Sequence, residues 1–408
     1  DRYGSAAPTH GGKAHRHMAT VAYDAHTHHS DLSSQAYIVR SNSDLFSNYT
    51  YFENDPINGD QIEQKDDRTM VGSALGWAYH YQLGPAHMTA SLGLQFRADA
   101  INNALYHDAA QVRLLTVTDD KLNERAIGLY AQEEMKLSRA LRFILGARGD
   151  HLDVGSRDAA RFSPKFVGVL SPIEQLDVFV DYGWGFHSND ARGVFAPPNR
   201  ANLITPTVSY EAGLRIKPDP SFQLSLAGFV INSRGETVYR EDTATNESVP
   251  ATRRYGVEAQ ALYHGKSGFF ADAAAALSKE RYRNDPANAD SMTPAPTKTV
   301  SAGAGFSRAF GSYTPFVAVR GKLVAEHPAT PDQRLYAQGY GTLDADAGLR
   351  WWNLEARLDM QNILGAQWRQ VSSAATTQLG YESSPVNGVV YSVGAPRTVM
   401  GSLRFYWQ

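Results

Sequence analysis

From Arg16 to the end of the chain, apolar and polar residues trade places at every second position, and the runs that do so are joined by connections of two very different lengths. A period of two is the signature of a strand with one greasy and one wet face. Read as strands, the runs number about 17, at about 9–15 residues each, the length a tilted strand needs to cross a bilayer. They fall at 18–25, 33–40, 68–83, 87–98, 124–137, 141–153, 162–170, 176–186, 207–216, 222–232, 253–263, 269–281, 300–310, 313–324 and 342–350, followed by a closing pair within 353–407. Turns such as Gly84-Pro85, Ser138-Arg139-Ala140, Lys217-Pro218-Asp219-Pro220, His264-Gly265-Lys266-Ser267 and Gly311-Ser312 alternate with long polar connections at 41–66, 99–122, 187–205, 239–251, 283–298, 325–339 and 365–395. A soluble sandwich alternates too, but it does not sort its loops by parity. A membrane barrel does, with short periplasmic turns on one side and long extracellular loops on the other.

Hydropathy leaves no other route through a membrane. Mean hydropathy is −0.39, and no apolar run approaches the roughly 18–20 residues of a membrane helix. A strand wall escapes that test because alternation averages its signal away. The reading is therefore all-β, a transmembrane antiparallel β-barrel. The formal charge is −3, without a basic patch or tail, so nucleic acid is not an expected partner. Cysteine is absent, which excludes disulfides, iron–sulfur clusters and thiolate zinc and suits an oxidising envelope.

The closing pair carries more specific wording. Leu354, Ala356, Leu358 and Met360 share one strand face against Glu355, Arg357, Asp359 and Gln361; Val399, Gly401, Leu403, Phe405 and Trp407 share another against Thr398, Ser402 and Arg404. Phe405, Tyr406 and Trp407 stand where an aromatic girdle would lie. Asp359-Met360-Gln361-Asn362-Ile363-Leu364, paired with Gly394-Ala395-Pro396-Arg397-Thr398-Val399-Met400, resembles the last two strands of TonB-dependent outer-membrane receptors. That family joins an Asn-Leu-Leu/Phe stretch to a final strand opened by Gly-x-Pro-Arg and closed by an aromatic; here Gln408 follows the aromatic. The segments 124–136, 182–193 and 253–258 are similar to further parts of the family's barrel.

The resemblance implies a barrel of about 22 strands. Counted back from the closing strand, 18–25 becomes the sixth, and residues 1–16 an extracellular loop. Residues 1–408 are then expected to be the C-terminal part of the barrel. The N-terminal plug, the TonB-contacting segment and about five strands would lie outside it, since a wall lacking strands would leave costly unpaired edges in lipid. The function implied is energised uptake of a scarce nutrient across the outer membrane of a Gram-negative bacterium. A ferric siderophore is the leading substrate class. The partners implied are outer-membrane lipid, the TonB system through the N-terminal part and the iron–siderophore ligand, with the barrel a monomer and no cofactor. A passive porin is the alternative, disfavoured by its shorter loops. A soluble all-β enzyme is the third, and no Gly-x-Ser-x-Gly, Walker loop or Rossmann fingerprint supports it.

Three stretches are candidates for contact chemistry. In Tyr182-Gly183-Trp184-Gly185-Phe186-His187-Ser188-Asn189-Asp190-Ala191-Arg192-Gly193, Gly183 and Gly185 let the backbone leave the wall, and Phe186, His187, Asn189 and Arg192 stand at the rim. The bland reading is a corner held by Asp190 and Arg192. In the connection after residue 40, Phe46, Tyr49, Tyr51 and Phe52 could stack on a flat ligand or form the loop's own small core. Six of the 13 His (His10, His15, His17, His26, His28 and His29) lie in the first 29 residues, but strand parity sends His10–His17 to one side of the membrane and His26–His29 to the other. No metal site is assigned. Inward charges recur at Glu134, Lys136, Arg148, Asp150, Glu211, Arg215, Arg254, Glu258, Asp344, Asp346, Arg350, Glu355, Arg357 and Asp359, and read as the lining of a wet lumen rather than as catalytic groups.

Overall fold

The structure, a computed structural model, describes residues 3–4, 7–189, 202–240, 245–283 and 295–407. Every regular element among them is a strand. Seventeen of these form one antiparallel sheet. The first five are β1 (Gly11–His26), β2 (Ser30–Ser47), β3 (Gln61–Leu83), β4 (Ala86–Ala109) and β5 (Val112–Lys136); then come β6 (Leu141–Val154), β7 (Arg157–Ile173), β8 (Leu176–Ser188), β9 (Ile204–Asp219) and β10 (Phe222–Ser233). After a small hairpin, β11 (Glu236–Arg240) and β12 (Thr245–Val249), the wall resumes with β13 (Thr252–His264), β14 (Phe269–Tyr282), β15 (Lys298–Ser307) and β16 (Tyr313–Val324). The pair β17 (His327–Pro328) and β18 (Tyr336–Ala337) precedes β19 (Tyr340–Trp351) and β20 (Leu354–Gln361). A last hairpin, β21 (Arg369–Thr377) and β22 (Val386–Val393), separates β20 from the closing β23 (Thr398–Phe405).

Each wall strand pairs with its neighbour in sequence, and among the described residues β1 pairs only with β2, and β23 only with β20. The register decides which residues face lipid. Ala271, Ala304, Val319, Ala345, Met360 and Val399 stand directly opposite one another across six strands, a continuous apolar row on the outside. One position along, Asp272, Gly303, Arg320 and Asp344 line up on the inside, where both Arg320 terminal nitrogens donate to Asp272 at 2.6 and 2.8 Å. A pleat that buries nothing against a second sheet can keep one face charged and the other apolar only if water and lipid fill the two sides. This is a transmembrane antiparallel β-barrel wall.

Inside, bare glycines sit under aromatic rings. Phe316 lies opposite Gly348 and Phe270 opposite Gly305, and a Cβ on either glycine would come within 2.2 or 2.3 Å of the ring. The ring covers backbone that a glycine leaves open, pinning register across the pair. Aromatics also gather near the turns: Trp77, Tyr79 and Tyr81 stack in sequence, and Tyr313 stacks on Trp351 at 6.1 Å. At the C-terminus Phe405 and Trp407 meet edge to face, while Tyr406 turns inward and donates to Glu355 at 3.0 Å. Two of the three closing aromatics therefore belong to the girdle, and the third to the lumen.

Two expected connections are corrected. Residues 99–122 are not a loop: β4 and β5 run 24 and 25 residues and meet at a two-residue tip. Those lengths exceed a membrane crossing by about a dozen residues, roughly 40 Å of ribbon. The tip residues Ala110 and Gln111 have φ of 49° and 67°, a left-handed turn without glycine or asparagine that costs about 1–2 kcal/mol per residue. Gln111 offsets it with hydrogen bonds to Gln61 Oε1 at 2.6 Å and the Thr9 carbonyl at 2.8 Å. The connection expected at 41–66 shrinks likewise, because β2 continues to Ser47 and β3 begins at Gln61. The connections at 239–251, 325–339 and 365–395 each contain a small hairpin.

Candidate functional site

Bonding between β7 and β8 runs from Ile173–Leu176 to Lys165–Gly183, although both strands continue toward the extracellular side. Beyond Gly183, β8 stays on β9 as far as Ser188–Ile204. Its end is pinned by Asn189, whose amide nitrogen donates to the Leu203 carbonyl at 2.9 Å and whose side chain donates to the Asn202 carbonyl at 2.6 Å and to Thr205 Oγ1 at 3.1 Å. Gly183 is thus the last residue of β8 bonded to β7, but Gly185 still pairs with Thr207 of β9, so the two glycines do not take the strand off the wall as their spacing suggests.

The parting of β8 from β7 opens a cleft of about 510 Å³, lined by Phe186, His187, Ser188 and Asn189 on one side and by inner-face residues of β3 to β6 on the other. Three arginine–carboxylate pairs furnish or border it. Arg97 grips Asp99 with two hydrogen bonds, at 2.6 and 3.0 Å. Arg68 lies 3.6 Å from Asp99 and 3.5 Å from Asp66. Arg148 donates to both Asp150 oxygens and to Gln95 at 2.9 Å. Asp99 is the buried member of its pairs, with only 2% of its side chain exposed against 45% for Arg97 and 28% for Arg68. A buried carboxylate holding a guanidinium fixes its direction while leaving N–H groups for a visitor. The cleft therefore offers oriented cations beside an aromatic ring and an exposed imidazole, a surface suited to a bulky ligand with anionic or chelated oxygen.

The second stretch goes elsewhere. Phe46, next to last in β2, lies opposite Glu63 on the outer face. Tyr49 is half-buried in the loop that follows. Tyr51 takes φ of 63°, with its N–H donating to Asn48 Oδ1 at 2.7 Å. Phe52 donates through its N–H to the Gln378 carbonyl, and Gln378 donates back to the Thr50 carbonyl, both at 3.0 Å. The Phe52 ring also lies against Gly380. Tyr51 and Phe52 thus tie this loop to the connection between β20 and β23, and none of the four aromatics lines the cleft. The same loop is stiffened by Asp60, which accepts from Thr50 Oγ1 at 2.7 Å and from the Asp55 N–H at 2.7 Å. N–H groups of Asn58 and Ile57 hold the Asp55 carboxyl below the usual carboxylate range. Arg192, the last of the sequence candidates, lies outside the described residues.

The N-terminal histidines separate as parity predicts. His10 accepts the Asn48 N–H at 2.8 Å at the loop end of β1, while His26 bonds Asp31 at 2.8 Å at the opposite turn; about 50 Å of strand lies between. No group of three metal-binding side chains occurs among the described residues. Sequence reasoning missed Arg68, Arg97 and Asp99, since neither their strands nor their spacing sets them apart from the rest of the lumen lining.

With the geometry in place, comparison with known proteins is decisive at the level of family. The family profile described as "TonB dependent receptor-like, beta-barrel" matches residues 1–363. This chain belongs to the TonB-dependent receptor family. No curated protein matches the sequence. Among solved structures, the ferric yersiniabactin uptake receptor of Yersinia pestis aligns with a TM-score of 0.75 at 14% identity, over 97% of this chain and 61% of that one. A ferric citrate transporter in its unliganded form gives 0.76 at 13%, over 100% and 64%, and a copper transporter 0.71 at 14%, over 98% and 66%. At such identities the likeness speaks for the fold. The chain spans about six-tenths of the length of the first of these receptors. The family and these neighbours are transport receptors of the outer membrane rather than enzymes.

Proposed function

We propose that the full-length receptor captures a ferric siderophore, or a chelate of like size, at the extracellular mouth and imports it with energy coupled through TonB. The observation that carries the reading is the cleft beside the departing end of β8, where Phe186, His187 and Asn189 face Arg68 and Arg97, each held by a carboxylate. Ferric chelates commonly present flat, oxygen-rich and often anionic surfaces, which oriented guanidinium groups and an aromatic face recognise. Phe46, Tyr49, Tyr51 and Phe52 frame the mouth and shape access instead of gripping the ligand. Solved neighbours named for ferric yersiniabactin, ferric preacinetobactin and pyoverdine support the iron assignment; the copper transporter marks the competing metal.

The test is growth of an iron-starved strain lacking the intact gene, complemented with the full-length wild type or with Arg97→Gln. Wild type should restore growth on at least one ferric chelate. Arg97→Gln should lower uptake of that chelate about tenfold, a loss of the order of one charge-assisted hydrogen bond, with the protein still present at wild-type level in the outer membrane. Equal uptake by both proteins would remove the cleft from the proposal, and failure of every ferric chelate would remove iron.

A further inference from the structure

The outer face of the barrel changes character near its extracellular end, and it does so differently in two sectors. Across β10, β13, β14 and β15 the outward rows read Leu226–Ala259–Ala275–Val300, then Gly228–Val257–Leu277–Lys298, then Val230–Tyr255–Lys279, then Asn232–Arg253–Arg281. Charge enters only in the last three rows, and every charge is positive. No carboxylate occupies an outward position of these four strands among the described residues. Arg253 and Arg281 stand directly opposite each other, an arrangement of like charges that a strand pair pays for unless an anion lies between them. The described contacts of the two are neutral: Arg253 Nε donates to Asn232 Oδ1 at 2.8 Å, and the Arg281 guanidinium sits 5.7 Å from the Tyr255 ring. Lys279 is engaged within the chain, so Arg253, Arg281 and Lys298 are the cations at issue.

In the sector formed by β1 to β5, three outward cations have carboxylates of their own. There Lys13 meets Asp44 at 3.4 Å, Arg40 meets Asp67 at 2.5 Å and Arg113 meets Glu63 at 2.5 Å. These cations need nothing from outside the chain. Among the described residues Arg253, Arg281 and Lys298 meet no carboxylate, and what borders them is set by the apolar rows immediately below, which lie in hydrocarbon. A group placed there is at headgroup depth, beside an aromatic at the interface.

We infer that Arg253, Arg281 and Lys298 form a binding site on the outer wall for the phosphorylated headgroup of an outer-leaflet lipid. Its acyl chains would lie along the apolar rows below, and its phosphate would separate the two opposed guanidinium groups. Such a lipid would act as a counter-ion for this sector, where no described carboxylate faces outward.

The experiment uses the full-length receptor, extracted in mild detergent and incubated with a bisphosphorylated glycolipid or with inorganic phosphate. Lipid retained per protein is counted by native mass spectrometry. Wild type should retain the glycolipid, and R253Q/R281Q/K298Q should bind it about a hundredfold more weakly, from about fivefold per cation. K13Q/R40Q, in the self-neutralised sector, should retain it as wild type does. Heat-resistant gel mobility reports folding; if the triple variant is misfolded, Arg253→Gln and Arg281→Gln are read singly, each expected to lose about fivefold. Equal retention by wild type and the Arg253 and Arg281 variants would overturn the inference. So would equal losses in both sectors, or displacement of the lipid by inorganic phosphate at low concentration, which would make the site one for free anions.

Discussion

The upper half of the ribbon formed by β3, β4 and β5 and the wall formed by β14, β15 and β16 follow the same alternation, yet the outer row is apolar in the wall at membrane level and charged in the ribbon. In the wall, Ala271, Ala304 and Val319 face out while Asp272 and Arg320 pair within. In the ribbon, Arg113 and Glu63 pair outward while Arg97 and Asp99 pair inward. The difference is the medium. Where lipid is outside, a charge there is expensive, so the outward row is apolar. Above the membrane both faces meet water, so outward charges are permitted and are neutralised across strands. Alternation therefore reports a strand, and the chemistry of its outer row reports what surrounds it.

The largest effect should come from reversing that rule in the wall. Val319→Arg places a charge on the lipid face in mid-strand and should destabilise the full-length protein by about 2–4 kcal/mol, whereas Thr118→Arg in the ribbon should stay within about 0.5 kcal/mol. Urea unfolding from phospholipid vesicles measures both, and equal penalties would erase the contrast. A smaller effect is expected at the ribbon tip. Replacing Ala110-Gln111 with Asn-Gly suits the left-handed turn and should gain about 1 kcal/mol locally, less whatever the Gln111 hydrogen bonds contributed. Slower amide exchange in the upper β4–β5 hairpin would show the gain, and faster exchange would mean that Gln111 matters more than the turn.

The smallest effect concerns the turn between β1 and β2. Hydrogen bonding to Asp31, reinforced by its charge, raises the His26 imidazole above its ordinary 6.5. Hydrogen bonds from His26 and then from His80 lower the Asp31 carboxyl below 3.8. A raised imidazole contributes stability that is fully present below 6.5 and lost as pH rises through its folded value. A lowered carboxyl contributes stability present above 3.8 and lost as pH falls. The turn should therefore be best protected between about pH 4 and 6.5 and loosen toward pH 8. Exchange at the Thr27–Ser30 turn, corrected for intrinsic rate, follows this; a flat profile would mean the exposed bridge contributes nothing.

Much of the wall is legible in the chain because the bilayer imposes one rule on every crossing. All of the alternating runs from 18–25 to the closing pair correspond to strands. The 313–324 run coincides with β16 to the residue. What the sequence hides is whatever the bilayer does not dictate. The upper β4–β5 ribbon looked like a loop because its outward row turns polar above the membrane and its tip, Ala110-Gln111, carries no turn residue. At the site, Gly183 stands where β8 parts from β7 while staying on β9, and Phe186, His187 and Asn189 line the cleft that opens there. Their companions Arg68 and Arg97 come from strands about a hundred residues earlier, brought there by register alone. The tie between Phe52 and Gln378 is likewise a contact between chain segments that no local pattern announces.

Because the chain has no cysteine, the central claim is open to a direct measurement. Single cysteines placed in the full-length receptor at Val317, Ala318, Val319, Gly321, Lys322 and Leu323, spin-labelled in vesicles, report contact with oxygen dissolved in lipid against a water-soluble nickel chelate. Val317, Val319, Gly321 and Leu323 should favour oxygen, and Ala318 and Lys322 the chelate. Labels that are shielded from both on one face, as in a dry core between sheets, would contradict the account.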